Sequence, residues 1–233
     1  MEKGFGLVYA DKNLLVLNKP ASLETCAENA EADTLQRRAE AVFGTLFPVH
    51  RLDANTTGLV LFARTEEAKA ALDAAFKNRA VQKFYRCVLK GSLTPSADTL
   101  HAFLLKDEEK GRVTVLSHDA GNAKPIATAY RLLGAYGKNG AQEAEIELLS
   151  GRTHQIRAHM AYVGHPLLGD DKYGDREWNR ACKTSRIHLC AVRLCFALPA
   201  SSPLAYLNDM TFRVAPHWAQ DESRRNYADL SQL

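Results

Sequence analysis

His50-Arg51-Leu52-Asp53-Ala54-Asn55-Thr56-Thr57-Gly58-Leu59-Val60-Leu61-Phe62-Ala63 joins a polar turn to an almost wholly apolar run. The run from Thr57 to Ala63 reads as a strongly buried strand. Asp53 therefore stands just ahead of a core strand, on a loop held by a rigid element. Upstream, Leu7 to Asp11 and Leu14 to Leu17 read as the start of the same sheet, the second stopped at Asn18-Lys19-Pro20, where a proline cannot donate to a ladder.

Downstream, Thr65 can cap a helix with Glu66 and Glu67 in its first turn and Lys77 and Arg79 near its end, as the helix dipole prefers. Ala68, Leu72, Ala75 and Phe76 supply its buried stripe. Lys83 to Lys90 alternates, placing Tyr85, Cys87 and Leu89 on one face and Arg86, Val88 and Lys90 on the other, with Tyr85 inward. Glu109-Lys110-Gly111-Arg112 reads as a hairpin tip returning along Val113 to Leu116. A strand over Ala127 to Leu133, a turn over Gly134 to Gly140 and a strand over Glu145 to Leu149 follow. From Thr153 the period turns helical, with Ile156, Met160 and Val163 on one stripe and His154 and Arg157 three apart on its neighbour, until Gly164-His165-Pro166 ends it. Many strands, short turns and few helices predict one α+β domain over residues 1–233, its core about 7–215, on a large, mostly antiparallel sheet.

With 30 basic and 27 acidic residues the chain carries a net charge of +3, which permits a nucleic-acid partner without arguing for one. No run of eighteen apolar residues implies a membrane span, and Met1-Glu2-Lys3-Gly4 lacks the basic start and apolar core of a leader, so a cytoplasmic protein is expected. Five cysteines (Cys26, Cys87, Cys182, Cys190, Cys195) without Cys-x-x-Cys spacing suit reduced thiols. Cys190 lies on the alternating face Cys190, Val192, Leu194, Phe196, Leu198 as a buried structural thiol.

Two further strings change the reading of Asp53. Gly151-Arg152-Thr153-His154-Gln155-Ile156-Arg157 offers two cations and two hydrogen-bonding side chains where a strand hands over to a helix, and His165-Pro166-Leu167-Leu168-Gly169-Asp170 precedes Tyr173-Gly174. Alone, Arg51-Leu52-Asp53 is a surface turn with a local ion pair and Arg157 a solvated helix charge. Together the Asp53 segment and the Gly151–Arg157 segment look like one polyanion site, and in order with the third string they resemble the RluA family of RNA pseudouridine synthases over about residues 7–215. Asn18-Lys19-Pro20 fits the same pattern, except that the family often has Gly two residues past the proline where this chain has Ser22.

The resemblance implies isomerisation of uridine to pseudouridine in ribosomal RNA, 23S first, or in transfer RNA. It matches Asp53 to the essential aspartate, Arg157 to its basic partner and Tyr85 to the active-site tyrosine. Whether Asp53 attacks C6, attacks C1′ or assists elimination stays open. Arg suits its place because a planar fork can hold a carboxylate bidentately and stays charged. Tyr85 can stack on the uracil. Extruding the nucleotide leaves a gap that Arg51 would fill by entering the RNA stack. His50, Asn18, Lys19, Arg152, His154 and Gln155 are expected to hold phosphates or neighbouring bases, and Leu167 or Leu168 to wall the uracil pocket. The reaction is redox-neutral, so neither metal nor other cofactor is expected. The partner is RNA and not a membrane, and the protein a monomer. The run Leu7 to Asp11 opening the core sheet predicts no N-terminal S4-type domain.

Two other classes compete. A metal-dependent hydrolase would use His154, His159 and His165, but their spacings of five and six do not put two ligands on one helix face, and no carboxylate completes the set. A catalytically silent RNA-binding or RNA-folding protein would need none of Asp53, Tyr85 and Arg157 together.

Overall fold

A computed structural model describes residues 4–29, 31–107, 109–137 and 139–219. The reading of Met1 to Lys3 and the outer limits of a domain drawn over 1–233 fall outside the described residues. The strands are β1 (Gly6–Ala10), β2 (Leu14–Lys19), β3 (Phe47–Pro48), β4 (Thr57–Ala63), β5 (Val81–Lys90), β6 (Ala97–Asp107), β7 (Arg112–Leu116), β8 (Lys124–Tyr136), β9 (Ala141–Leu148), β10 (Leu189–Phe196) and β11 (Thr211–Arg213). The helices are α1 (Leu35–Phe43), α2 (Glu66–Lys77), α3 (Gln155–Tyr162) and α4 (Arg176–Ala181).

All eleven strands join one sheet in the order β1-β2-β4-β10-β5-β9-β8-β6-β7, with β3 on β4 and β11 on β10. The expected α+β class on a mostly antiparallel sheet is borne out. The parallel pair is β4 with β10, in register at Cys190↔Thr57 and Ala191↔Gly58. Gly58 has φ 108 and any Cβ there would stand 2.2 Å from the Ala191 carbonyl, so only glycine permits the approach. The loops leading into β4 and β10 consequently emerge side by side at one end of the sheet.

Alternation along the central strands gives the sheet two buried faces. Leu15, Leu17, Val60, Phe62, Tyr85 and Cys87 pack with Leu35 and Ala39 of α1 and Ile156 and Met160 of α3. Leu14, Val16, Leu59 and Leu61 pack against Ala68, Leu72 and Ala75 of α2, while Val88, Cys190 and Val192 meet Trp178 of α4. The alternating face that begins at Cys190 and the α2 stripe under its Thr65 cap are as expected.

Four local readings are corrected. Strand β2 runs two residues past Leu17, through Asn18 and Lys19, before Pro20 stops it. Strand β8 does not turn at Gly134. It bulges there between Leu132 and Gly134, whose φ is 145, and runs on to Tyr136, a use of strand glycine that the expected turn overlooked. Helix α3 begins at Gln155 because His154 takes the left-handed conformation, φ 54, and so leaves the helical stripe it was expected to share with Arg157. Helices α1 and α4 were not anticipated; α1 buries only Leu35 and Ala39, too thin a stripe to read from periodicity.

Candidate active site

Asp53 sits in a turn closed by Thr56 N–H to Asp53 C=O, 3.0 Å. The residues on either side are held by buried side chains from the end of β2 and from the loop that follows it. Thr25 Oγ1 accepts from the Leu52 N–H and donates to the Leu52 carbonyl, both at 3.0 Å. The Lys19 ammonium donates to the carbonyls of Pro20 (2.9 Å), Leu23 (2.6 Å) and Ala54 (2.8 Å). Lys19 is 1% exposed, and burial pulls it down to about 8 against the opposing charge of Asp53. Its three hydrogens are spent inside the protein, so the expected phosphate contact is corrected: Lys19 clamps the Asp53 turn to the 20–25 loop.

His50 is corrected likewise. Its Nε2 accepts the Leu61 N–H at 3.0 Å and its ring packs on Phe76 at 5.0 Å; burial, with the Lys83 charge added, holds it neutral by pushing it down to about 3. Asn18 shares strand parity with Leu14 and Val16 and so belongs to the α2 face, away from Tyr85. Arg51 is exposed and makes no hydrogen bond or ion pair among the described residues.

Across the cleft, α3 supplies Arg157. Its fork does not hold Asp53: Nε and Nη2 donate to the two oxygens of Asp170, each at 2.8 Å, and Nη2 also reaches Asp171 at 2.9 Å. Only Nη1 faces Asp53, at 3.5 Å from Oδ2. Asp170 is fully buried and also accepts the amides of Lys172 (2.8 Å) and Tyr173 (3.0 Å). Burial alone would raise its pKa, but the Arg157 bonds and charge and these amides outweigh it and hold the carboxyl below its usual range. Arg157 is raised above its ordinary value in turn: burial opposes, and Asp170, Asp53 and Asp171 prevail. Asp170 and Tyr173 lie in the strings quoted above, yet no role was expected of either.

The left-handed turn at His154 aims its ring at two partners. Nδ1 lies 2.9 Å from the Tyr173 hydroxyl, and Nε2 lies 3.8 Å from Asp53 Oδ2. The Tyr173 oxygen already accepts the Val113 N–H at 2.9 Å, so the arrangement that uses every hydrogen has Tyr173 donating to Nδ1 and His154 presenting Nε2–H to Asp53. Burial, helped by Arg157 and Lys172 and opposed by Asp53 and Asp170, lowers the His154 pKa and keeps the ring neutral. Arg157 and His154 thus converge on one oxygen of Asp53, and Oδ1 has no donor among the described residues. The Asp53 side chain is 25% exposed, open to a ligand.

Tyr85, on β5, points into the same face; burial first, then the Asp53 charge, raises its pKa and keeps the phenol protonated. Leu167 packs in the cluster with Tyr85 and is fully buried, whereas Leu168 packs with Val88 and Trp178 on the other face, so of the two only Leu167 lies on the Tyr85 side of the sheet. Gln155 is corrected from an RNA contact to a brace: 2% exposed, it accepts from Ser150 Oγ and the Arg152 N–H and donates to Ala127 C=O and Thr128 Oγ1. Arg152 stays exposed at the rim. The three histidines expected of a hydrolase part company, since His159 bonds Thr128 and His165 the Lys90 carbonyl. Among the described residues no three His, Cys, Asp or Glu side chains gather as a metal site, and no helix is long and apolar enough to cross a membrane.

A family profile described as RNA pseudouridylate synthase matches residues 13–162. The chain is 34% identical over 203 residues to "Ribosomal large subunit pseudouridine synthase C" of Vibrio cholerae, covering 84% of this chain and 62% of that one. It is 31% identical over 195 residues to "Dual-specificity RNA pseudouridine synthase RluA" of Pasteurella multocida, covering 83% and 87%. The chain thus spans less than two thirds of the first of these relatives. A solved structure, "Human RNA Pseudouridylate Synthase Domain Containing 4", shares the fold at a TM-score of 0.71 and 24% identity, covering 91% of this chain and 88% of that one.

Proposed function

The chain belongs to the RNA pseudouridylate synthase family, and from that premise we propose that it isomerises uridine to pseudouridine in RNA, with Asp53 as the reacting carboxylate. The observation that carries the reading is the carboxylate itself: one oxygen faces Arg157 and His154, the other has no donor among the described residues, and Tyr85 packs in the core cluster on the same side of the sheet, its pKa raised by burial and then by the Asp53 charge. Such a group can act as an anion toward C1′ or C6 without leaving its loop. Arg157 orients it and favours its charge. His154 is a second donor to it, 3.8 Å away in the ligand-free site and able to tighten around substrate. Tyr85 supplies a ring for the uracil, and its protonated hydroxyl can serve the exchange at C5. Arg51 and Arg152, exposed at the rim, meet the RNA, Arg51 by taking the place of the extruded uridine.

The isomerisation breaks an N1–C1′ bond and makes a C5–C1′ bond with no net oxidation, so this reading assigns it no cofactor. The substrate is a ribosomal RNA, 23S first, or a transfer RNA. The reading places the protein in the cytoplasm as a monomer with residues 7–215 as one catalytic domain. Five free thiols support the compartment, and exposed large apolar residues scattered singly at Leu7, Val42, Tyr162 and Tyr206 support the monomer. The test is release of tritium from RNA labelled at uridine C5, since forming the new bond expels that hydrogen. Release with matching pseudouridine is expected from ribosomal or transfer RNA; no release from either would leave a binding protein instead.

A further inference from the structure

Ser22 holds a left-handed backbone, φ 59, a conformation in which the Cβ of a non-glycine residue crowds the following carbonyl. Strain of this kind persists where surrounding structure enforces it and often marks a working position. Ser22 lines a cleft of about 410 Å³ together with Pro20, Asn55, Ser185, Arg186 and Ile187, a volume in the range that seats small ligands. No carboxylate lines the cleft. It offers one guanidinium, two hydroxyls and an amide above an apolar floor, a set suited to an anion joined to a sugar or base.

Both walls are fixed relative to Asp53. Ala54, inside the Asp53 turn, and Pro20 and Leu23, flanking Ser22, share the Lys19 ammonium, and the Leu23 N–H also reaches the Ala54 carbonyl. Asn55 belongs to that same turn. On the opposite wall the Arg186 carbonyl accepts from His188 Nδ1 at 3.0 Å and packs so closely on Gly169 that a Cβ there would stand 2.0 Å away; Ile187 is in the core. The wall leads into β10 and the turn into β4, the parallel neighbours, so the cleft opens beside the reacting carboxylate. Arg186 is exposed, and its charge is felt by Cys190 and His217, while no carboxylate pairs with it among the described residues.

We propose that this cleft seats a nucleotide flanking the target uridine, with Arg186 on its phosphodiester and Ser22, Asn55 and Ser185 hydrogen-bonding its sugar or base. The proposal rests on the reading of the protein as an RNA-acting enzyme and adds a subsite that selects RNA by what adjoins the uridine. Equilibrium binding of a uridine-containing stem-loop RNA, measured apart from turnover, tests it. Arg186→Ala should weaken binding roughly tenfold and lower the slope of log K against log salt by about one, with Arg186→Lys recovering the slope. Replacing the phosphodiester on one side of the uridine with a neutral methylphosphonate should abolish the Arg186→Ala penalty. Ser22→Gly, which relieves the strain, should raise the melting temperature yet weaken binding. A folded Arg186→Ala protein with wild-type affinity and salt slope, or a penalty indifferent to either neutral linkage, would overturn the proposal. So would a Ser22→Gly protein that gains stability at no cost in affinity. Absence of turnover by the unaltered protein would strike the enzyme reading, while the binding series still judged the subsite.

Discussion

The two walls of the site are built crosswise. On the β4 side the group proposed to react is an anion, Asp53, and a buried cation, Lys19, fixes its loop through main-chain carbonyls. On the α3 side the group proposed to orient it is a cation, Arg157, and a buried anion, Asp170, fixes that cation through a two-pronged ion pair. Asp53 is left under-bonded, with Arg157 at 3.5 Å and His154 at 3.8 Å, while Arg157 is nearly saturated. On the proposed mechanism, the group that would form and break bonds is poised by its backbone, and the group that would only stay put is held by its side chain.

Asp53→Asn should have the largest effect. Since the loop is held by Thr25 and Lys19 through neighbouring residues, the fold and the RNA affinity should survive. Single-turnover formation of pseudouridine should fall to the limit of detection, because an amide keeps the size but neither the charge nor the nucleophilicity. Affinity should rest on phosphate contacts that this change leaves alone. Loss of affinity alongside turnover would mean that the side chain, and not the backbone clamp, shapes the turn.

Arg157→Ala acts on the other wall and should damage stability as well as turnover. It strands the buried Asp170, so unfolding should be easier by about 3–5 kcal/mol. Asp171→Ala, removing a carboxylate that is 67% exposed, should cost about 0–1 kcal/mol. Denaturant melts of the two proteins check the contrast, and equal losses would refute the division of labour. Arg157→Lys should not recover the loss, because an ammonium cannot reproduce the fork.

How far this arrangement could be read from sequence differs between its parts. Thr57 to Ala63 and the Cys190 face were legible because a run or an alternation of apolar residues reports burial directly. Lys19 and Gln155 were misread because polar side chains are ordinarily outside; each is inside here only because the tertiary fold brings a carbonyl or hydroxyl to every hydrogen. The Arg157–Asp170 pair was hidden for a related reason. It closes across a loop whose path depends on Gly169 at φ 77, and chain spacing carries no sign of which carboxylate an arginine will choose.

The two walls should fail at opposite ends of a pH scan. Asp170 has a depressed folded pKa, so its contribution to stability is present above the ordinary carboxylate value and is lost as pH falls through the folded one. Lys19 is depressed to about 8 from 10.5, so the unfolded chain binds the extra proton in that interval and relative stability rises with pH across it. Yet a neutral amine has two hydrogens for three carbonyls, and the Asp53 turn should loosen. Turnover should therefore decline above pH 8 while the melting temperature holds or rises. A parallel fall of both would show that Lys19 does not couple to the turn.

Tyr173→Phe should have the smallest effect and tests the link between the walls. The hydroxyl receives the Val113 N–H, which leaves its own hydrogen for His154 Nδ1 and favours the form with hydrogen on Nε2. Without it, Nδ1 loses its donor, the ring can take either tautomer, and the Nε2–H aimed at Asp53 is present only part of the time. Removing one neutral hydrogen bond is worth about 0.5–1.5 kcal/mol, so turnover should fall roughly two- to tenfold with little change in affinity. Nitrogen NMR of the imidazole separates this from simple loosening of β7: the unaltered protein should show hydrogen on Nε2 alone, and the variant a mixture. A variant that is slower and less stable but keeps the pure Nε2–H form would assign Tyr173 to holding the strand and leave the orientation of His154 to the left-handed turn at residue 154 itself.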